Sequence, residues 1–193
     1  MNKIKTLFKR GERFKVINEY NFDVYELDIN FLFSFATEKV DGTNIRLTIR
    51  KNEVVRIEAR KNPSKQQKKN GIINAWYRDI NLPGDKWIID AVNNRTYIDI
   101  ADGEYSAEAY GKNIQGNPLN IDYNDVFIFD YDKELNKVIY EDCPLTFDEL
   151  KKWLPNQKSK IGNGSIEGIV FWADGKPIAK IKTKDFKKEE TNE

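Results

Sequence analysis

The sequence predicts an α+β protein built mainly from antiparallel sheets, with a few flanking helices. Three observations carry that expectation. Short alternating apolar runs outnumber helical patterns along the chain. The first two such runs are separated only by Lys51-Asn52, a hairpin spacing. The helical patterns are few, short and scattered between the runs.

Residues 44–50 alternate, with Ile45, Leu47 and Ile49 on one side, and residues 53–60 form the second arm of the hairpin. The polar stretch 61–71 reads as an exposed loop; its lysines are either a solvated surface or a patch that tracks nucleic-acid phosphates. Helices are expected at 72–77 and 85–92. Residues 104–110 alternate through Tyr105, Ala107 and Ala109. Residues 126–131, 137–140, 166–172 and 178–182 are further short apolar runs, expected as strands. The clearest helix is 145–154, where Thr146 and Glu149 have capping-box spacing. Trp76, Trp87, Trp153 and Trp172 are expected to pack in the core or on the sheets. The tail from 184 is almost wholly polar apart from Phe186, and is expected to be disordered from about 187. No composition shift marks a boundary, so 1–193 is expected to be a single domain.

Composition narrows the chemistry. An aromatic share of 12% needs a core to pack in, which argues against wholesale disorder. A net charge of +1 gives no long-range field, so any polyanion must be met by a local patch. Cys143 is the single cysteine, which rules out an intrachain disulfide and fits a reducing compartment. No apolar stretch is long enough to span a membrane, and no apolar leader follows the basic N-terminus, so a cytoplasmic protein is expected. There is no histidine. That excludes Ser-His-Asp and Cys-His nucleophiles and imidazole zinc sites. Lysine, carboxylate, arginine and hydroxyl chemistry remain, with a hard cation such as Mg2+.

Lys39 lies in Glu38-Lys39-Val40-Asp41-Gly42-Thr43-Asn44. A lysine attacks only when neutral, and at its ordinary pKa of about 10.4 roughly one molecule in a few thousand is neutral at pH 7. Nearby positive charge, burial or a metal must lower that value. Lys180 and Lys182, two apart in an expected strand, would share one face and could supply that charge while balancing a triphosphate. Gly42 would let the backbone turn tightly beside a ligand. Each feature also has a plain reading. Lys-Val-Asp-Gly alone is a surface turn, Phe129 a core aromatic and Glu167 the end of a loop. Lys180 and Lys182 alone are the solvated face of an edge strand, and Glu108 a partner for any surface base.

Taken in order, the segments resemble the covalent nucleotidyltransferase superfamily of ATP-dependent DNA and RNA ligases and mRNA capping enzymes. Lys39-Val40-Asp41-Gly42-Thr43-Asn44 resembles the nucleophile motif. Arg60, within Arg56-Ile57-Glu58-Ala59-Arg60, looks like the arginine that contacts ribose or phosphate. Glu108-Ala109-Tyr110-Gly111 resembles the ribose-binding motif, and Val126-Phe127-Ile128-Phe129-Asp130-Tyr131 the purine-stacking one. Glu167-Gly168-Ile169-Val170 and Lys180-Ile181-Lys182 resemble the last two motifs, for metal and phosphates. Thr43-Asn44 is the RNA-ligase form, and the phage-type RNA ligases are the most similar branch. The resemblance implies a nucleotidyltransferase fold and an RNA ligase working through Lys39-AMP, with ATP and Mg2+ or Mn2+. Nicked or broken RNA, including RNA/DNA hybrids, would be its partner. It assigns Lys39 as nucleophile. Glu38, Asn44, Arg60, Glu108, Phe129, Glu167, Lys180 and Lys182 would bind the nucleotide, and Glu167 with Asp41 the metal. The sequence stops soon after the last motif, where relatives continue into a C-terminal module. A minimal ligase is therefore expected, with that module dispensed with or supplied by a partner. A minimal DNA ligase, a guanylyltransferase and a non-catalytic nucleotide- or nucleic-acid-binding module are the alternatives.

Overall fold

A computed structural model describes residues 4–21, 35–132 and 138–186. In chain order the described residues form β1 (Phe8–Arg10), β2 (Val16–Tyr20), β3 (Phe35–Glu38), β4 (Thr43–Arg50), β5 (Glu53–Lys61) and α1 (Lys65–Lys69). There follow β6 (Trp76–Asp79), α2 (Lys86–Asn93), β7 (Gly103–Gly111), β8 (Asn124–Ile128) and α3 (Phe129–Asp132). The last elements are α4 (Phe147–Trp153), β9 (Gly168–Ala173) and β10 (Lys176–Lys182). The chain divides into two compact units, one of residues 1–40 with 133–193 and one of residues 41–132. Each has its own sheet and its own core.

In the first unit a three-stranded sheet runs β10-β9-β3, with both pairings antiparallel. β9 is central, and all six of its residues are buried. That explains its unbroken apolar sequence: a strand covered on both faces has no place for alternation. Trp172 in β9 donates its indole N–H to Thr37 Oγ1 at 2.8 Å. Phe8, Leu150, Leu154, Ile169, Phe171 and Ile181 pack as one cluster. Phe186, the lone apolar residue of the tail, is buried edge-on against Phe147, with ring centroids 5.2 Å apart.

In the second unit a five-stranded antiparallel sheet runs β6-β5-β4-β7-β8. The hairpin forms as its sequence requires. Lys51 and Asn52 both take left-handed φ, 50° and 64°, the pattern of the tight turn that matches strand twist. Ile88, Ala91 and Val92 of α2 cover Ile45, Leu47, Ile49, Ala107 and Val126.

Three expectations are corrected. Residues 72–77 do not form a helix: Trp76 begins β6, because β5 offers a free edge that pairs Trp76 with Lys61 and Tyr77 with Arg60. Sheet pairing overrides local pattern there. The helix lies earlier, inside the expected loop, where Ser64 and Gln67 form a reciprocal capping box that starts α1. The run 126–131 stops as a strand at Ile128 and turns into α3. The cause is Asp132, whose carboxylate reaches back to accept the Ile128 N–H at 2.6 Å. Arg95 holds that carboxylate from the other side, with contacts of 2.6 and 3.0 Å.

Two further readings changed in detail. The Thr146 hydroxyl bonds the Glu149 carboxylate at 2.6 Å instead of capping the backbone. Ile139 makes an isolated bridge to Thr37, and Lys137 lies outside the described residues, as does the tail from 187. Among the described residues no helix is long and apolar enough to cross a membrane.

The Asp132 side chain is 8% exposed and that of Arg95 21%. Asp132→Ala strands a largely buried guanidinium. It should cost about 3 kcal/mol in urea unfolding, the low end for a broken buried pair because Arg95 keeps some contact with water. A loss below about 1 kcal/mol would show that the clamp does not hold the turn.

Candidate active site

Lys39 follows directly on β3, where its N–H donates to Gly168 O at 2.8 Å. Glu167 precedes β9, and its carbonyl accepts the Thr183 N–H at 3.1 Å just past β10. These two bonds flank a charge cluster. Lys39 Nζ meets Glu167 Oε2 at 2.5 Å, and Lys182 Nζ donates to Glu167 Oε1. Both lysine side chains are 19% exposed and the glutamate 10%. Lys184, which the sequence reading left out, brings a third ammonium within 3.9 Å of Glu167. Its two-residue spacing from Lys182 was the available signal. Lys180 and Lys182 lie on the face of β10 opposite the buried Ala179 and Ile181, as the alternation predicts.

Gly168 makes this arrangement possible. A Cβ there would sit 2.1 Å from Ile181 O and 2.7 Å from Lys182 Cα, so only glycine lets β10 pass close enough for Lys182 to reach Glu167. Burial works against ionising Glu167, but the charge of Lys39 and the hydrogen bonds of Lys182 and Lys39 outweigh it and hold its pKa below the ordinary carboxylate value.

Glu38 has the opposite balance. It is 2% exposed. It accepts from Ser159 Oγ at 2.7 Å and from the Lys160 N–H at 2.8 Å. Ser159 Oγ in turn accepts the Ile161 and Gly162 N–H groups. Burial nonetheless raises the Glu38 pKa. Its side chain ties the loop 159–162 to the strand that carries Lys39.

The second unit brings other predicted residues into one row. Asn44 pairs with Glu108, and Glu108 with Phe127. Arg60 pairs with Tyr77 and stands one place beyond the Ile45–Ala59 pair, beside Asn44. Tyr77, Arg60, Asn44, Glu108 and Phe127 thus cross all five strands on the face opposite the apolar core. Tyr77 OH donates to Asn44 Oδ1 at 2.9 Å, and Asn44 Nδ2 donates to Ala107 O at 3.1 Å and Glu108 Oε2 at 3.4 Å. Tyr77 and Phe127 were missed, because strand register decides their place and local sequence does not carry it. Phe129 starts α3 just beyond the row, its ring edge-on to Phe127 with centroids 5.8 Å apart.

Gly42 also serves packing. A Cβ there would lie 2.2 Å from Ala109 O, so the glycine admits β7. Asp41 opens the second unit, whereas Glu167 belongs to the first. Among the described residues no group of three or more His, Cys, Asp or Glu could hold a metal ion.

The chain is similar to solved structures of Naegleria gruberi RNA ligase. One, a lysine-to-alanine mutant without ligand, is 17% identical with a TM-score of 0.38. Another, a lysine-to-methionine mutant with AMP and Mn, is 16% identical with a TM-score of 0.39. Each match covers 93% of this chain and 59% of the other. No family model matches the chain, and no curated protein matches it.

Glu167 should titrate below the ordinary carboxylate range in a carboxyl-detected NMR pH series. Because its folded pKa is depressed, its stabilising contribution is fully present above about pH 4.3, the unfolded value, and is lost as pH falls through the folded one. In Lys39→Met the midpoint should rise. An unchanged midpoint would remove Lys39 as its partner.

Proposed function

We propose that this protein is an ATP-dependent RNA ligase that forms a Lys39-AMP intermediate and seals 5′-phosphate to 3′-hydroxyl ends. One observation carries the reading: Lys39 and Lys182 share the carboxylate of Glu167 in a half-buried cluster. The order of the motifs supports it, and so does the absence of histidine, which leaves lysine as the available nitrogen nucleophile.

In the proposed reaction Lys39 Nζ, after losing a proton, attacks the α-phosphorus of ATP. An N–P bond forms, the bond to the pyrophosphate oxygen breaks, and pyrophosphate leaves. AMP then passes to a 5′-phosphate end, and a 3′-hydroxyl displaces it to close the strand. Positioning and charge stabilisation dominate such transfers. Lys180 and Lys182 hold the phosphates. Their charge also disfavours a third ammonium at Lys39. Phe129 stacks on adenine, Glu108 accepts the ribose hydroxyls, Arg60 contacts sugar or phosphate, and Asn44 completes the nucleotide set, while the buried carboxylate of Glu38 is spent on Ser159 and the Lys160 N–H.

A divalent cation fits the donors on one condition. Glu167 is a hard oxygen ligand kept ionised, but its two lysine neighbours repel a dication until phosphates arrive to neutralise them. Glu167 would then hold Mg2+ or Mn2+ together with the nucleotide phosphates. When bound, the cation supplies charge neutralisation at the α-phosphate.

Intact-mass measurement after incubation with ATP and Mg2+ should show an AMP adduct that disappears in Lys39→Ala. Lys182→Ala should slow its formation by about 100-fold. An adduct from GTP alone would move the protein to capping-type transfer, and no adduct from either nucleotide would overturn the reading. Preference for sealing an all-DNA nick over RNA ends would overturn the RNA assignment.

A further inference from the structure

We infer that α1 of the second unit is a docking surface for the phosphate backbone of a double-stranded polynucleotide, built on Lys65, Lys68 and Lys69, with Lys61 just before them in the chain. Four observations carry the assignment.

First, the positive charge is local and unspent. Residues 61–78 hold Lys61, Lys65, Lys68, Lys69 and Arg78 and no acidic residue, in a chain whose net charge is only +1. The four lysines are exposed, and their ammonium groups have no partner among the described residues. Arg78, by contrast, is spent on Asp85.

Second, the spacing gathers the charge. Lys65, Lys68 and Lys69 stand at i, i+3 and i+4 of α1, so they share one side of the helix.

Third, the fold gains nothing from Lys65. α1 buries no residue. Lys68 and Lys69 suit the negative end of the helix, but Lys65 opens it, where the dipole disfavours a cation. Lys65 also stands four residues from Lys69, where like charges repel. An anion on this side of the helix relieves both costs.

Fourth, the helix is fixed at both ends all the same. A helix of five residues with no buried face does not persist by itself. Ser64 Oγ accepts the Gln67 N–H at 3.2 Å, and Gln67 Oε1 accepts the Ser64 N–H at 2.9 Å. At the other end the Gly71 N–H donates to Lys68 O at 3.1 Å and the Ile72 N–H to Gln67 O at 3.0 Å, a closing turn that the φ of 84° at Gly71 allows. The two caps hold three lysines in one geometry, which lowers the entropy cost of a contact at several points.

The side chains select the partner. Lysine meets phosphate as a point charge, without the two-pronged geometry of arginine. The exposed amides of Asn62, Gln66 and Asn70 stand among the lysines in the chain, and amides donate to phosphate and sugar oxygens. Residues 61–75 contain no aromatic side chain on which an unpaired base could stack. The contact is therefore with the backbone and reads no sequence, and the denser charge of a duplex suits it better than a single strand. An anionic membrane fits less well: a helix lying on lipid needs an apolar face, and α1 has none. The choice of RNA for the duplex rests on the ligase reading above.

The test is fluorescence anisotropy of a labelled RNA duplex with the full chain, without ATP, over a series of salt concentrations. Lys65→Gln, Lys68→Gln and Lys69→Gln combined should weaken binding by more than about tenfold and lower the slope of log affinity against log salt by about three. Arginine at the same three positions should keep the slope, which separates lost charge from lost fold. Gln67→Ala opens the cap and keeps every charge, so it should weaken binding with the slope unchanged. Lys176→Gln, on the other unit, should change neither. Equal affinity and slope for the triple glutamine variant and the natural chain would overturn the surface. So would a loss in Lys176→Gln as large as in the triple variant, which would mark diffuse charge. Competition by phosphatidylserine vesicles as effective as that by unlabelled duplex would also overturn it, in favour of a membrane. The duplex assay needs no ATP and the Lys39-AMP assay needs no duplex, so either idea can fail alone.

Discussion

The first unit is organised around two ammonium groups that share one carboxylate. Lys39 and Lys182 come together in a place where each keeps only 19% of its side chain in water, and Glu167 makes that tolerable. Like charges so placed would repel strongly at the reduced dielectric of a half-buried site. The backbone enforces the meeting. β3 and β10 both pair with β9, Lys39 and Thr183 donate to the backbone on either side of the Glu167–Gly168 bond, and Gly168 has no Cβ to keep β10 away. Two lysines and one glutamate leave a residual positive charge. Lys184 at 3.9 Å adds to the same field.

The second unit reaches its own arrangement through register. Asn44, Arg60 and Glu108 come from three different strands, and their meeting depends on the pairing of β4 with both β5 and β7. A slip of one residue in either pairing would send the slipped strand's polar residues to the apolar face. Gly42 protects that register by letting β7 close against the start of β4. At the far edge the Arg95–Asp132 pair ends β8 and sets the turn in which Phe129 stands. The same physics recurs in both units. A glycine permits a close approach of strands, and an ion pair fixes what the approach brings together.

The strands were legible in the sequence wherever one face is apolar. Ile45, Leu47 and Ile49 write their own alternation, and Lys51-Asn52 announces the turn after them. The errors fell where a partner distant in sequence decides the local state. Trp76 and Tyr77 look as suited to a helix as to a strand until β5 supplies an edge. Phe129 continues an apolar run, yet Asp132 and Arg95 turn the chain away. α1 hid inside a polar stretch because its stability comes from the Ser64–Gln67 cap and not from a buried face.

The sequence by itself determined which chemical groups are available: lysines, carboxylates, one cysteine and no histidine, with Lys39, Glu167, Lys180 and Lys182 in a telling order. Residue types and their order are local facts, and local facts survive without coordinates. Only the tertiary structure decided which of those groups touch. It set Glu167 between Lys39 and Lys182, and Asn44 between Tyr77 and Glu108. Those contacts follow from strand register and close backbone approach, which join residues far apart in the chain.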